Sequence, residues 1–402
     1  MSIAVATDAA PSDEAGVAAA VAAAFAAREP LLVQGAGSKH ALLRPVQAAR
    51  TLSLRELTGI TLYKPQELVL SARAGTPIAE IEATLAERGQ MLIAEPPDPR
   101  PLFGGEAGAT LGGTVAANLS GPRRITGGAT RDHVLGIRFV NGEGEVLRSG
   151  GRVLKNVTGL DLCKLLSGAH GTLGVLTEIT VKVLPVPEAT ATLAVRVPDL
   201  ARGVAALSAG LGSPFGVSGA AVLPEGAGAH GLEGPAALLR LEDFAESVSY
   251  RAARLHEALG SFGPVSQIGG NASRELWRAL RDAELLRAAP EDAVWRVSVR
   301  PSAGPKIARA LREAFGARLL LDWGGGLVWA AGPPTAEAHG QVVAAAQAAQ
   351  GTHTLFRAPE TLRAAVEVVP AEPPPLLAIS RRVKAALDPA GILNPGRIWA
   401  GR

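Results

Sequence analysis

The segment Ala109-Thr110-Leu111-Gly112-Gly113-Thr114-Val115-Ala116-Ala117-Asn118-Leu119-Ser120-Gly121 constrains this chain more than any other stretch. It carries almost no side-chain bulk. Close packing would leave voids beside it unless another backbone or a ligand lies against it. Gly127-Gly128 and Arg131-Asp132 follow, and later Gly168-Ala169-His170-Gly171-Thr172-Leu173-Gly174-Val175. An earlier loop of the same kind, Gln34-Gly35-Ala36-Gly37-Ser38-Lys39, leaves the short strand Leu31 to Val33. Three such segments beside strands fit a long ligand threaded between sheets. The competing reading is a glycine-rich composition, 47 glycines in 402 residues, making ordinary tight turns.

The first loop does not match either familiar nucleotide motif. A Walker A loop needs G-x-x-x-x-G-K-[ST], which Gly35 to Lys39 does not supply. A dinucleotide fingerprint needs glycine where His40 stands and a helix that Pro45 would interrupt. What remains is a turn whose successive backbone N–H groups, with Ser38 and Lys39, could cradle a diphosphate; a plain surface turn is the alternative.

Composition removes other classes. The single cysteine, Cys163, can form no intramolecular disulfide and cannot hold an iron–sulfur cluster, which is usually built on about four cysteines. The seven histidines are scattered without zinc-site spacing, so no metal is expected. A formal charge of +3, dispersed arginines and 4% aromatic residues argue against a nucleic-acid surface. The most apolar run, Ala15 to Ala27, is too short for a transmembrane segment and follows Asp13 and Glu14 rather than positive charge. The expected setting is cytoplasmic.

Coarse structure follows from periodicity and punctuation. Residues 13–28 read as an alanine-rich helix capped by Ser12, and Thr76 reads as the cap of a second helix with Pro77 in its first position. Leu135–Val140, the turn Asn141-Gly142 and Glu145–Arg148 read as a hairpin, and Thr172–Leu184 as a long strand. Pro185 and Pro187 place a boundary near 188. From 189 to 370 short strands alternate with helical stretches, an α+β pattern. Pro370 to Pro375 reads as a stiff linker before a helix, Leu376 to Leu387, and a tail. The expected division is 1–188, 189–370 and 371–402.

The strings ATLGGTVAANLSG, GGATRDHVLGIRFVNGEGEVLRSGG, NVTGLDLCKLLSGAHGTLGVLTEITVKVLP and DPAGILNPGR resemble the FAD-binding domain of the vanillyl-alcohol oxidase and p-cresol methylhydroxylase superfamily. Within it the chain is most similar to the FAD-binding subunits of bacterial glycolate oxidases. The likeness is specific over about 30–188 and 385–398 and weak between. It implies an α+β fold: a two-subdomain FAD-binding domain, an α+β cap of the substrate type, and a C-terminal tail returning to the first domain. It implies FAD held at the diphosphate by Gly35, Ala36, Gly37, Ser38 and Lys39. Pro97, Thr110, Gly112, Gly113, Ala116, Ala117 and Asn118 would line diphosphate and flavin, with Ser120, Gly121, Arg131 and Asp132 flanking them. Gly171, Gly174, Val175 and Ile179 would bound the adenosine half, and Asn394 and Arg397 would bring the tail towards the flavin.

Two departures from the superfamily matter. Members with covalent flavin often carry histidine where this chain has Ser38, so the FAD is expected to be non-covalent. The H-x-G-D-G-N-x-H segment of related catalytic subunits and D-lactate dehydrogenases is missing from 189–370. Oxidation of a 2-hydroxy acid needs a carboxylate anchor, a base and a hydride acceptor. Arg296, Ser298 and Arg300 alternate on one predicted strand, with Arg296 and Arg300 as candidate anchors and a solvated or subunit-facing surface as the plainer reading. No catalytic base is assigned; Asp161 and His170 read as structural. The implied role is an FAD subunit in a glycolate oxidase complex, passing electrons to a catalytic flavoprotein and an iron–sulfur subunit and meeting the inner membrane only through them. A self-sufficient flavoenzyme for a small hydroxy acid or polyol, and a non-catalytic scaffold, remain as alternatives.

Overall fold

A computed structural model describes residues 7–48, 50–152 and 159–401. The start of the NVTG string, residues 156–158, therefore lies outside the described residues.

The first helix, Glu14–Ala27, buries Val17, Val21 and Ala24, a seven-residue stripe on its inner face. Its cap is Asp13, whose carboxylate accepts from the Gly16 amide at 2.7 Å, and not Ser12 as the sequence suggests. The second helix, Ile78–Ala86, likewise starts one residue later than expected: Pro77 takes the cap position. The Thr76 hydroxyl instead accepts from the Gly59 amide, tying the helix entry to a neighbouring turn.

Three strands, Thr7–Ala9, Arg50–Ser53 and Leu31–Gln34, form a parallel sheet with Arg50–Ser53 in the middle. Parallel neighbours need a long crossover. Between Leu31–Gln34 and Arg50–Ser53 that crossover begins with the first glycine loop. An antiparallel sheet runs Ile60–Lys64, Val69–Arg73, Val175–Pro185, Val134–Val140 and Val146–Gly150, and Gln90–Leu92 pairs with the far end of Val175–Pro185. The expected hairpin and long strand are both here. One hydrophobic cluster, from Val17 to Val183, joins these sheets and takes in Ile392 and Leu393 of the tail.

Apart from a two-stranded ladder of Gly226–Ala227 with Leu232–Glu233, the remaining strands form one antiparallel sheet of eight, in the order Val265–Gly269, Ala189–Arg196, Ala236–Asp243, Val217–Leu223, Arg318–Asp322, Leu327–Gly332, Ala293–Ser298, Thr352–Arg357. Sequence periodicity misses Val217–Leu223, Val265–Gly269 and Thr352–Arg357, and the helix Leu200–Leu211. Val217–Leu223 is largely small residues that fit the pleat only because both faces are covered. Alternation along Ala293–Ser298 separates the two faces of the sheet. Trp295 packs on Phe315 of the helix Gly304–Phe315, with its ring N–H bonded to His339 at 3.1 Å. Arg296 points the other way, towards the N-terminal half.

That face is joined to the N-terminal half by charge. Arg240 donates to Glu95 at 2.8 and 2.9 Å, and Arg123 to Glu242 at 2.7 Å. Glu95 is held down to about 2; burial opposes this, and Arg240 and Arg123 together outweigh it. At a second point of contact the Asp98 amide donates to Asp282 at 2.8 Å.

A candidate cofactor cleft and an arginine–tryptophan site

The first glycine loop, the small-residue helix and the C-terminal tail converge on one cleft open to solvent. Segment 111–117 is a helix, with the Thr110 hydroxyl capping it at the Gly113 amide. Its small residues have two causes. A Cβ on Gly112 would stand 2.7 Å from Ala74 Cβ and 2.9 Å from its carbonyl, so close backbone packing excludes it. Gly113 instead faces the cleft beside the Lys39 ammonium. Across the cleft, a Cβ on Gly35 would meet Thr110 Oγ1 at 2.3 Å, so the loop and helix can approach this closely only with glycine there.

The tail is fixed by Asn394, which is buried and left-handed at φ 42°. Its Oδ1 accepts from the Val33 amide at 2.8 Å, and its Nδ2 donates to the carbonyls of Val33 at 3.1 Å and His170 at 2.9 Å. Arg397 then donates to the carbonyls of Lys39 at 2.9 Å and Arg44 at 3.0 Å. One side chain thus joins the strand before the first loop to the turn of the third.

The electrostatics of the cleft favour an anion. Burial lowers Lys39 to about 8, and its nearest side-chain partner is the Ser38 hydroxyl at 3.2 Å. Burial also lowers Arg397 to about 10 and His170 to about 3, keeping the imidazole neutral. Gln34 Oε1 is buried without a hydrogen-bond partner. Lys39 and Arg397, both lowered chiefly by burial, would be relieved by a diphosphate beside them. An unpartnered amide oxygen at the same wall calls for a donor from a ligand. The residues present fit FAD.

Of the residues implied by resemblance, Gly35, Ala36, Gly37, Ser38, Lys39, Thr110, Gly113, Ala116, Ala117, Asn394 and Arg397 line this cleft, and Gly171 backs Asn394. The others lie elsewhere. Val175 and Ile179 are wholly buried in the hydrophobic cluster, and Gly174 packs on the Phe139 ring. Asn118 accepts from the Arg131 amide, and Ser120 from the Thr130 amide. Arg131 and Asp132 are exposed and paired at 3.6 Å. Gly121 presses on the Glu95 carbonyl, and Pro97 stands half-buried between Glu95 and Asp98. Sequence reasoning missed Gln34 and Leu42 and took His170 as merely structural, yet all three line the cleft. The non-glycine left-handed turn at His170 (φ 52°) has no signature in the sequence.

A second cluster lies where the eight-stranded sheet meets the N-terminal half. Arg296 stacks over the rings of Trp329 at 4.9 Å, Trp323 at 5.2 Å and Phe356 at 5.3 Å, and Arg124 lies 4.3 Å over Trp323. Burial and Arg124 lower Arg296 to about 10. Asp322, whose carboxylate accepts from the Trp323 amide at 2.7 Å, is pushed up to about 7 by burial. Ser298 ends the strand, and Arg300 lies beyond it in an exposed turn. The expected alternation of Arg296 with Arg300 on one strand face is therefore not realised. Arg296 is half-buried against aromatic rings and is not paired with Arg300.

Comparison with known proteins agrees with the cleft. Residues 6–150 match the family model described as FAD binding domain, and residues 366–398 match the one described as FAD linked oxidases, C-terminal domain. Glycolate oxidase subunit GlcE of Escherichia coli is 38% identical over 377 residues, spanning 94% of this chain and 95% of that protein. The chain belongs to the GlcE family of FAD-linked oxidases. Glycolate oxidase subunit GlcD of Bacillus subtilis is 30% identical over 41% of this chain and 34% of that one. The fold is that of p-cresol methylhydroxylase, whose substrate-bound crystal structure superposes with a TM-score of 0.74 at 15% identity, over 97% of this chain and 88% of that one. The chain is an FAD-dependent oxidoreductase of α+β architecture. No helix among the described residues is long and apolar enough to cross a membrane.

Proposed function

We propose that this chain is the FAD-binding subunit of a glycolate oxidase complex, taking part in oxidation of glycolate or a similar 2-hydroxy acid to the 2-oxo acid. The observation that carries this reading is the end-to-end likeness to GlcE, with the cleft built from the first glycine loop together with residues of three of the superfamily strings. Bound FAD supplies the acceptor for the hydride leaving the hydroxyl-bearing carbon.

The chain's own residues do the holding. Lys39 and the amides of Gly35–Ser38 would take the diphosphate, Gly113 and Ala117 would let the cofactor lie close to the helix, and Asn394 with Arg397 would lock the tail over it. Residues 1–188 with the tail 371–402 act as the cofactor unit, and 189–370 as the cap. Ser38 offers no imidazole for a flavin bond, so the FAD is non-covalent.

Electrons leave through partner chains. Cys163 is buried with its thiol pushed up by burial, and a lone cysteine holds no iron–sulfur cluster. An iron–sulfur subunit and a second flavoprotein would supply that path in the cytoplasm, with any contact at the inner membrane made by the partners. A second reading, turnover by this chain alone, is favoured by the arginine–tryptophan site.

The purified chain should be yellow, and acid precipitation should release all its flavin. A colourless chain that takes up no FAD when offered it would defeat the proposal. Mixing the yellow chain anaerobically with glycolate separates the two readings: bleaching alone supports self-sufficiency, and bleaching only with partners supports the complex.

A further inference from the structure

Most arginines that tie the two halves together have their hydrogen bonds filled. Arg123 and Arg240 meet carboxylates, while Arg44, Arg357, Arg363 and Arg397 donate to backbone carbonyls. Arg124 and Arg296 are different. Among the described residues neither guanidinium makes a hydrogen bond or an ion pair, and both are held against aromatic rings. We propose that the two guanidinium groups gathered on Trp323 form a binding site, on this chain itself, for the carboxylate of a small 2-hydroxy acid. The proposal rests on the oxidase reading above and adds where the substrate is held.

Four observations carry it. The two guanidinium groups lie over one indole, 4.3 and 5.2 Å from the Trp323 centroid, and like charges gathered this way gain most from an anion placed among them. Both arginines and Trp323 are half-buried, and the ring faces limit screening of the guanidinium groups by bulk water. A guanidinium fork matches a carboxylate with two parallel N–H donors, a fit that ammonium groups lack. Asp322, the carboxylate that acts on Arg296, accepts from the Trp323 amide and is itself pushed up to about 7 by burial, so it balances at most one of the two guanidinium charges.

The site is also built in place. Trp323 holds a left-handed backbone at φ 53°, costly for so bulky a residue, and Gly324 and Gly325 follow at positive φ. Its ring N–H donates to the Gly121 carbonyl at 3.1 Å. Gly121 closes the small-residue segment whose other end, Thr110, lines the cofactor cleft. The segment therefore runs from the cleft directly to this site, linking the place for the cofactor to a place for substrate.

The test uses the full chain loaded with FAD. Oxalate, a dicarboxylate with no hydroxyl-bearing carbon to oxidise, is titrated by calorimetry and by the flavin absorbance difference, with uncharged glycolamide as control. Oxalate should bind and glycolamide should not. Arg296→Met and Arg124→Met should each weaken oxalate by about tenfold or more, the loss expected for a charge-assisted hydrogen bond. Arg296→Lys should fall between, and the flavin-to-protein ratio should stay at the wild-type value. Equal binding of oxalate and glycolamide, or unchanged oxalate binding in the arginine variants, would overturn the proposal. Should Arg296→Met misfold, Arg124→Met and the amide control still decide. A chain that takes up no FAD defeats the oxidase reading instead. One that holds FAD and turns over with its partners, yet binds no carboxylate here, defeats only this inference.

Discussion

Lys39 gives the cleft a measurable pH dependence. Burial lowers its ammonium from 10.5 to about 8 in the ligand-free protein. At about 1.36 kcal/mol per pH unit this is an upper bound of roughly 3.4 kcal/mol, and contact with the open cleft reduces it to about 2–3 kcal/mol. A diphosphate beside Nζ restores the ordinary value, so above pH 8 binding must take up a proton. FAD affinity should be flat from Lys39 below pH 8 and fall above it, approaching one decade per pH unit. Stability of the FAD-free protein should move the opposite way. The folded-state value lies below the unfolded one, so the penalty is complete below about pH 8 and fades as pH rises towards 10.5. Other groups facing the cleft stay silent between pH 7 and 9: His170 is held down to about 3, His40 lies below its usual value, and Arg397 is lowered only to about 10. Asp98, lowered by Arg100, stays ionised throughout. The assay is flavin-fluorescence titration across that range, with calorimetry in two buffers to count the protons taken up. Lys39→Met should bind more weakly at pH 7 and show no slope, and Lys39→Arg should keep affinity without the slope. Equal slopes in wild type and Lys39→Met would refute the reasoning.

Removing Arg240 should leave Glu95 buried with Arg123 alone; we expect Arg240→Met to lose about 3–5 kcal/mol in urea unfolding, and a loss under roughly 1 kcal/mol would show that the pair is not a structural tie. Because Glu95 is held at about 2 against 4.5, its contribution is present above pH 4.5 and lost as pH falls through 2; a wild-type acid midpoint unchanged in Glu95→Gln would contradict this. Gly35→Ala should push the loop away from Thr110 Oγ1 and weaken FAD, and adding Thr110→Ala should restore part of the affinity by removing the clashing atom; equal affinity in the single variant and wild type would place the cofactor elsewhere. Asn394→Ala removes three hydrogen bonds and should cost about 2–3 kcal/mol, with faster amide exchange in the tail and in Val33 as the readout.

The parts of this design that were legible in the sequence are those that act through composition or local geometry. Gly35–Lys39 reads as a nest because the residue types alone permit it, and the hairpin at Asn141-Gly142 follows from its turn. The small-residue segment was also legible, but its cause was mixed: Gly112 and Gly121 are small because the Ala74 and Glu95 backbones press on them, and only Gly113 of the three faces the cleft. Sequence gives no means of separating a backbone neighbour from a ligand. The same limit explains Val175 and Ile179, whose branched side chains face the core even though their neighbour Gly171 backs the tail. Arg296 was legible as a candidate, but its partner was not. Arg124 comes from the other half of the chain and meets it only across Trp323, in a turn whose left-handed tryptophan no propensity would suggest.

The first loop has no regular structure of its own, and what fixes it comes from the C-terminal half. Arg363 donates to the His40 and Leu43 carbonyls, Arg397 to those of Lys39 and Arg44, and Arg44 itself to Val366 and Ala364. Lys384 adds a brace between the tail and the third glycine turn through the Leu393 and Thr172 carbonyls, with Asp388 balancing its charge. These contacts fix residues 39–44, the far end of the loop, and so anchor the Gly35–Ser38 segment that precedes them. The C-terminal half thus bears the ordering entropy that the cofactor would otherwise have to overcome. Cofactor affinity should therefore depend on residues far outside the conventional FAD-binding segment. That dependence gives a physical reason for the tail to return: without Asn394 and Arg397 the loop retains its sequence but loses the contacts that preorganise it.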